Sequence, residues 1–400
     1  MKWNNIRKIM MAVLLGICVL ASCAPEKPGT DAGTDEVKQV TVLDGNAENS
    51  QSGDSAGEVT GQADVEKTAA EEAPDAAEAK RQALREEFLA LANEVKVEED
   101  EVSFTDANDK WVTIKKNPQK VYNLYASYTT LWYEAGGVAA GVIGGDAVIE
   151  NYQEYIGRDI TQDEGIEVAA TTPHGAKWSV ETIVAAQPDL IICSTALGGY
   201  KAISAPAEAA GIPVVAVSYD SFADYLKWYR VFTAMTGRED LWESVGLDAL
   251  EKVMDVLMEI PEGNGPKVFI MFPISGQLQA NTVGTVLGQM ASSMGAVNIA
   301  DAWNNPEGAE RLDVNLETLY EADPDLILVQ SHGGEEEARA VIAEEYEGNP
   351  VWQSLRAVKE DKVYYLSKLL FHNKPNSRFA QAYQIMAEIL YPEKEFSFEK

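Results

Sequence analysis

Three histidines, His174, His332 and His372, are the residues of this chain best suited to ligate a transition metal or a haem iron. No His-x-His pair and no histidine-rich loop accompanies them. Hydrogen-bonding histidines are therefore the expectation, and no resident metal or cofactor is assigned. Cysteine chemistry is equally limited. Cys18 and Cys23 lie near the N-terminus, and Cys193 sits inside the apolar run Leu190–Cys193 and reads as a buried structural thiol. There is no nucleophile–base motif, no glycine-rich phosphate loop and no dinucleotide fingerprint, so an enzyme is not expected. What remains is recognition chemistry. Arg311, Lys374 and Arg378 can pair with anionic oxygens of a ligand. Tyrosines and tryptophans can cover flat apolar ligand faces at low entropy cost.

Holding such groups together takes rigid elements that end at one place. The apolar runs Val121–Tyr125, Val138–Ile143, Leu190–Cys193 and Val214–Val217 alternate with helical stretches. That is the pattern of a parallel sheet covered on both faces. A hairpin signature, Val102–Thr105 and Trp111–Ile114 around a turn, precedes them. From Arg238 to Ile260 the strand signal stops. Leu241, Val245, Leu250, Val253, Leu257 and Met258 mark one face of a long helix, closed by Pro261, Gly263, Gly265 and Pro266. A second α/β series opens at Lys267–Phe272. Internal repetition supports the division. Residues Glu181–Ile192 and Glu317–Leu328 are identical at seven of twelve positions, each copy giving a helix, a Pro-Asp turn and a buried strand. The expected architecture is α/β: two Rossmann-like lobes with mainly parallel sheets, residues 76–237 and 265–400, joined by one long backbone helix within 238–264. The first lobe carries a leading helix, Ala76–Val95, and the hairpin.

In a doubly wound lobe, ligands meet the loops beyond the carboxyl ends of the strands. Those loops carry Tyr128, His174, Trp178, Tyr200 and Tyr219 in the first lobe. In the second they carry Gln277, Trp303, Arg311, His332, His372 and Arg378. These are the candidate ligand-binding residues.

The N-terminus bears on compartment. Lys2, Arg7 and Lys8 precede the apolar stretch Ile9–Leu20, which is too short to span a bilayer and has the length of a signal-peptide core. Leu20-Ala21-Ser22-Cys23 resembles the lipobox of bacterial lipoproteins. That resemblance implies removal of residues 1–22 and a diacylglyceryl group on Cys23. Residues 23–75 hold almost no large apolar side chains and read as a flexible, disordered acidic tether. The formal charge of −32 argues against nucleic acid and against electrostatic docking on anionic lipid. The expectation is a monomer held to the extracytoplasmic face of the cell membrane by its lipid.

Several motifs carry a wider resemblance. They are Phe104–Ala107 with Trp111–Ile114 and Pro118, the strand Val121–Ser127, both Pro-Asp-Leu-Ile units, and Met294–Ala300. Trp352–Lys359 with Val363-Tyr364 and the ending Leu390–Glu393 complete the set. Their order resembles the helical-backbone (class III) substrate-binding lipoproteins of ABC importers for ferric siderophores, haem and cobalamin. The resemblance implies capture of a metal chelate between the lobes, a ferric siderophore first, then a corrinoid or haem. It also implies delivery to the transmembrane subunits of an ABC permease. In that family one glutamate per lobe docks on permease arginines, and the matching positions here are Glu181 and Glu317. Alternatives are a zinc- or manganese-binding protein of the same superfamily, a chelatase-like enzyme and a surface lipoprotein without transport.

Overall fold

The computed structural model describes residues 63–171, 178–195 and 199–398, with side chains from 76 onward. The chain divides into two compact units, Met1–Thr60 and Gly61–Lys400, and every described residue belongs to the second. Cys23, the N-terminal apolar stretch and His174 lie outside the described residues. None of the described helices is long and apolar enough to cross a membrane.

Strands β1 (Lys96–Val97), β2 (Glu101–Thr105) and β3 (Trp111–Lys115) form the expected antiparallel hairpin with one short extra strand. Val102, Phe104 and Ile114 alternate inward, so one face of this small sheet joins the core. The helix before it runs Ala63–Asn93, starting well upstream of the expected Ala76. Low apolar content suggested a tether there. Ala and Glu, seven of the thirteen residues 63–75, are instead strong helix formers. Arg81 and Arg85 tie this helix to Glu251 and Asp255 of the backbone helix.

The first lobe is a five-stranded, all-parallel sheet of β4 (Val121–Asn123), β5 (Gly141–Ile143), β6 (Glu167–Ala170), β7 (Leu190–Ser194) and β8 (Val214–Val217). Their spatial order is β6-β5-β4-β7-β8. The chain direction across the sheet reverses between β4 and β7, which is where a doubly wound fold opens its ligand crevice. β4, β5 and β7 are buried at every position, as strands covered on both faces must be.

The second lobe keeps a mainly parallel sheet and adds an antiparallel edge. β9 (Lys267–Ile274) pairs in parallel with β13 (Leu326–Val329), which pairs in parallel with β14 (Val363–Tyr365). The short β11 (Val297–Asn298) also runs parallel to β9. On the other side, β10 (Gln277–Asn281) is antiparallel to both β9 and β12 (Arg311–Asp313). The cause is local. Ile274 faces Gln277 across the two-residue turn Ser275-Gly276, where Gly276 has φ +75°, so β9 folds straight back instead of opening a cleft loop. Pro273 is tolerated because β9 has run past Met271, its last residue paired with β13 (to Val329), and is paired only with β10 there.

The sequence repeat is a structural repeat. Gln187 and Asp323 occupy the same repeat position, and both are left-handed, φ +51° and +42°. Two residues on, the carboxylate of Asp189 accepts from the backbone N–H groups of Gln119 and Lys120, each at 2.9 Å. That of Asp325 accepts from the Lys267 N–H at 2.7 Å. In each lobe the turn aspartate pins the start of the central strand.

Between the lobes the chain is helical from Glu239 to Glu259, with a π-helical stretch at Trp242–Leu247 inside the expected helix. The hydrophobic core explains why this connection does not swing freely. One continuous cluster takes in Val121 and Leu190 of the first lobe, Leu250 and Val253 of the backbone helix, and Val268 and Leu328 of the second lobe. Two further clusters lie on the opposite faces of the two sheets.

Candidate ligand site at the lobe seam

The second lobe buries an aromatic ring beneath an arginine and two histidines. Phe272 comes from the end of β9. The Arg311 guanidinium, from β12, lies over its face at 4.0 Å. His332 meets the same ring edge-on at 4.9 Å, and His372 stacks on it at 5.9 Å. The two histidines contact each other, His332 Nδ1 to His372 Nε2, at 2.8 Å. A chain of amides fixes this group from behind. Asn298 donates to the Asn281 carbonyl at 2.8 Å, Asn281 donates to the Gln330 side chain, and Gln330 donates to the Phe371 carbonyl. The Asn281 side-chain oxygen accepts from Arg311 Nε at 2.9 Å. Asn281 and Gln330 are buried, so their mutual satisfaction holds Arg311 in one orientation.

Electrostatics at this point run against the charge of the whole chain. Burial, and then the positive charge of His332, Arg311, Lys368 and Lys374, pulls the His372 pKa down to about 3. His372 is therefore neutral at physiological pH. Burial also lowers the Arg311 pKa, with Glu310 and the Tyr125 phenol opposing the shift. Lys368 and Lys374 are already neutralised by Glu150 at 2.6 Å and Asp220 at 2.8 Å. Arg311 has no ion-pair partner among the described residues. It is the cation left available at the seam.

The first lobe answers with tyrosines. Half-buried Tyr125, just beyond β4, lies 4.5 Å from Tyr128, which lies 5.8 Å from Tyr219. Only Tyr125 keeps useful accessible surface. Tyr128 and Tyr219, expected as ligand contacts, are 2% and 1% exposed and belong to the core. Trp178 is also buried, packed flat on Gly199, where a Cβ would meet its ring at 2.5 Å. Tyr200 is half-buried, and Lys110, Asp106, Cys193 and Glu208, all of the first lobe, surround its hydroxyl. Gln277 is exposed at the β9–β10 turn and donates to Asp313 at 2.7 Å. Trp303 lies away from the Phe272 group, in a groove beside β12.

Arg378 and Lys374 also have other work than the ligand pairing expected of them. The segment Lys368–Arg378 crosses from the second lobe to the first and clasps it. Lys368 pairs with Glu150, Tyr155 donates to the Leu369 carbonyl at 2.9 Å, and Arg378 pairs with Glu154 at 2.6 Å while lying over the Tyr155 ring. Asn376, fully buried with φ +54°, accepts from the Tyr219 hydroxyl and donates to Thr130 Oγ1 at 2.8 Å. Ser377 donates to Glu134 at 3.0 Å. Burial raises the pKa of that carboxyl to about 7. The sequence reading missed Tyr125, Phe272 and this clasp. Tyr125 closes the apolar run Val121–Tyr125 and could have been taken as its first residue clear of the sheet.

Glu181 and Glu317 are both exposed, each the second residue of the repeated helix, Val180–Ala185 or Leu316–Ala322. Either also favours its own helix start through the peptide dipoles. Cys193 is buried and free, and burial raises its thiol pKa far above the usual range.

Comparison with known proteins sets this geometry in a family. The family model described as periplasmic binding protein matches residues 121–369. The high-affinity heme uptake system protein IsdE of Staphylococcus aureus is 26% identical over 129 residues, 32% of this chain. That match spans 43% of the relative's length. The triscatecholate siderophore binding protein FeuA of Bacillus subtilis, solved with ferri-bacillibactin, superposes with a TM-score of 0.54 at 18% identity. The match covers 72% of this chain and 98% of FeuA. The vitamin B12 binding protein BtuF of Vibrio cholerae gives 0.54 at 18% identity, over 70% of this chain and 99% of BtuF. All three are named as binding or uptake proteins, none as an enzyme. With more than half of its length matched by the family model, the chain belongs to the periplasmic binding protein family.

Proposed function

We propose that this protein captures an anionic ferric chelate, a ferric siderophore before a corrinoid or haem, at the lobe seam and delivers it to the transmembrane subunits of an ABC importer. One observation carries the reading. In a chain of net charge −32, the half-buried Arg311 lies on Phe272, faces Tyr125 and makes no ion pair among the described residues, Glu310 acting on its charge only at longer range. A guanidinium so held favours a ligand that brings its own negative oxygens. The named ligand of FeuA, a triscatecholate siderophore complex, is of that chemistry. Tyr125, Arg311 and His332 form the contact set, with the buried Phe272 ring backing Arg311 and His332. Glu181 and Glu317 dock on the importer, and the lipid on Cys23 keeps the protein at the extracytoplasmic face of the membrane.

Haem is the second reading, supported by the IsdE match and by the exposed His332 beside the seam. The test is a panel titration of the purified protein with a ferric tris-catecholate, a ferric hydroxamate, haem and a corrinoid, followed by tryptophan quenching. The tris-catecholate should bind tightest. Losing a charge-assisted hydrogen bond of about 1.5–3 kcal/mol, Arg311→Ala should weaken binding by roughly 10- to 100-fold. Tight haem binding with a histidine-ligated absorption spectrum, lost in His332→Ala, would replace the first reading with the second. Equal affinity for the wild type and Arg311→Ala would remove the seam as the site.

A further inference from the structure

The second lobe has an open groove of about 450 Å³ that the ligand reading does not use. Trp303, Asp313, Asn315 and Thr318 line it, with Asn304, Leu312 and Val314 between them. Trp303 is half-buried, its ring 6.3 Å from Phe269 of the core, so the indole is held from one side and open on the other. Asp313 is exposed, and its Oδ1 accepts from the side chains of Gln277 at 2.7 Å and Gln279 at 2.9 Å. Those two amides orient the carboxylate. Its Oδ2 has no hydrogen-bond or ion-pair partner among the described residues. An indole beside an oriented, unpaired carboxylate is a receptor for a flat cation, a guanidinium above all.

The position of the groove says whose guanidinium. Asn315 and Thr318 flank Glu317, the docking glutamate, and Asn315 caps Thr318 N–H at 2.8 Å to start that helix. The repeat also reveals an asymmetry. Four residues before the repeated glutamate the sequence has Asp313 in the second lobe but Lys177, of opposite charge, in the first. Glu181 and Glu317 alone are equivalent and would accept an importer in either of two orientations. We infer that the Trp303–Asp313 groove receives an arginine side chain of the importer's transmembrane subunits next to Glu317, and that this one-sided contact fixes which lobe meets which subunit. The inference rests on the docking role proposed above for the two glutamates.

The groove can be tested without the importer. In protein labelled with 5-fluorotryptophan, the Trp303 resonance is assigned through Trp303→Leu. N-acetyl-arginine amide should move that resonance, and the nearly isosteric but neutral N-acetyl-citrulline amide should not. Asp313→Asn should abolish the movement while leaving the folded spectrum intact. In cells, Asp313→Lys should slow ligand uptake by roughly tenfold or more with ligand affinity unchanged, because like charge now meets the arginine. An unmoved Trp303 resonance, or one moved equally by N-acetyl-citrulline amide, overturns the inference. So does Asp313→Lys with normal uptake, or with altered ligand affinity. If that variant transports normally while Glu181→Ala with Glu317→Ala does not, only the groove assignment falls. If the double glutamate variant transports normally, the docking reading falls and takes the inference with it.

Discussion

Replacing Asn376 with alanine tests whether the clasp holds the lobes together. The side chain is fully buried, accepts from the Tyr219 hydroxyl and donates to Thr130 Oγ1. Its further contact, to the Ser127 carbonyl at 3.3 Å, is replaceable, because that carbonyl also accepts from Thr130 Oγ1 at 2.9 Å. The Tyr219 hydroxyl has no such substitute. Leaving it unpaired in the core should cost about 1–3 kcal/mol. The backbone adds a second term. Asn376 has φ +54°, where alanine is disfavoured by about 1–2 kcal/mol and asparagine much less. The sum, about 2–5 kcal/mol, is enough to lower the melting temperature by roughly 5 °C or more in a domain of this size. Comparing Asn376→Ala with Asn376→Gly separates the two terms. Glycine removes the same hydrogen bonds but sits comfortably at positive φ, so it should recover about 1 kcal/mol against alanine. Urea unfolding of the three proteins, followed by tryptophan fluorescence, measures both differences. If alanine lies within 0.5 kcal/mol of wild type, a margin of about the usual surface-substitution effect, the clasp is not what secures the lobes.

Glu134 gives a pH signature. Its folded pKa, about 7, lies above the ordinary carboxyl value because burial disfavours the charge. Between about pH 4.5 and 7 the folded state therefore holds a proton that the unfolded state has lost. Stability should fall as pH rises through that window, by up to about 3 kcal/mol, and Glu134→Gln should flatten the fall. The turn aspartates are a matched pair. Asp189→Ala and Asp325→Ala should each cost about 1–3 kcal/mol by freeing backbone N–H groups at a strand start. They lie in separate lobes, so the double variant should show additive loss in denaturant titrations. The buried Cys193 thiol, its pKa raised by desolvation, should resist iodoacetamide in the native protein at pH 8 and react on unfolding, as mass spectrometry of its peptide would show.

Periodicity and repetition made the frame legible. The hairpin, the strands of the first lobe, the helical connection and the two Pro-Asp units could be placed because each depends on contacts local in sequence. The left-handed residues Gln187 and Asp323 show why the repeat was informative: it encodes a turn with one backbone conformation and one pinning carboxylate. The second lobe's hairpin had a signal too, the Ser275-Gly276 pair, but Pro273 argued against a strand on its near side. Only the finding that β9 outruns β13 resolves that conflict. Side-chain roles at the seam were much less legible. Tyr128 and Tyr219 follow strand ends just as Tyr125 does, and residue type cannot tell a ring that lines a crevice from one that fills the core. The ion pairs of Arg378 and Lys374 were illegible for a related reason. Their carboxylate partners, Glu154 and Asp220, are distant in sequence and belong to the other lobe.

The antiparallel extension has a consequence for function that the shared repeat hides. Both lobes build their docking helix from the same unit, and in both the turn aspartate ties it to the central strand. In the second lobe, however, the turn at Gly276 sends the chain back as β10, and β10 in turn gives β12 a strand to pair with. Gln277 and Gln279 of β10 then orient Asp313 of β12, while Arg311, two residues earlier on the same strand, lies over Phe272 at the seam. One edge strand thus supplies both the cation at the seam and the groove carboxylate next to the repeated helix. The first lobe has an all-parallel sheet and no counterpart to β10 among the described residues. On the docking reading proposed above, that one hairpin is what distinguishes the two copies of the repeat.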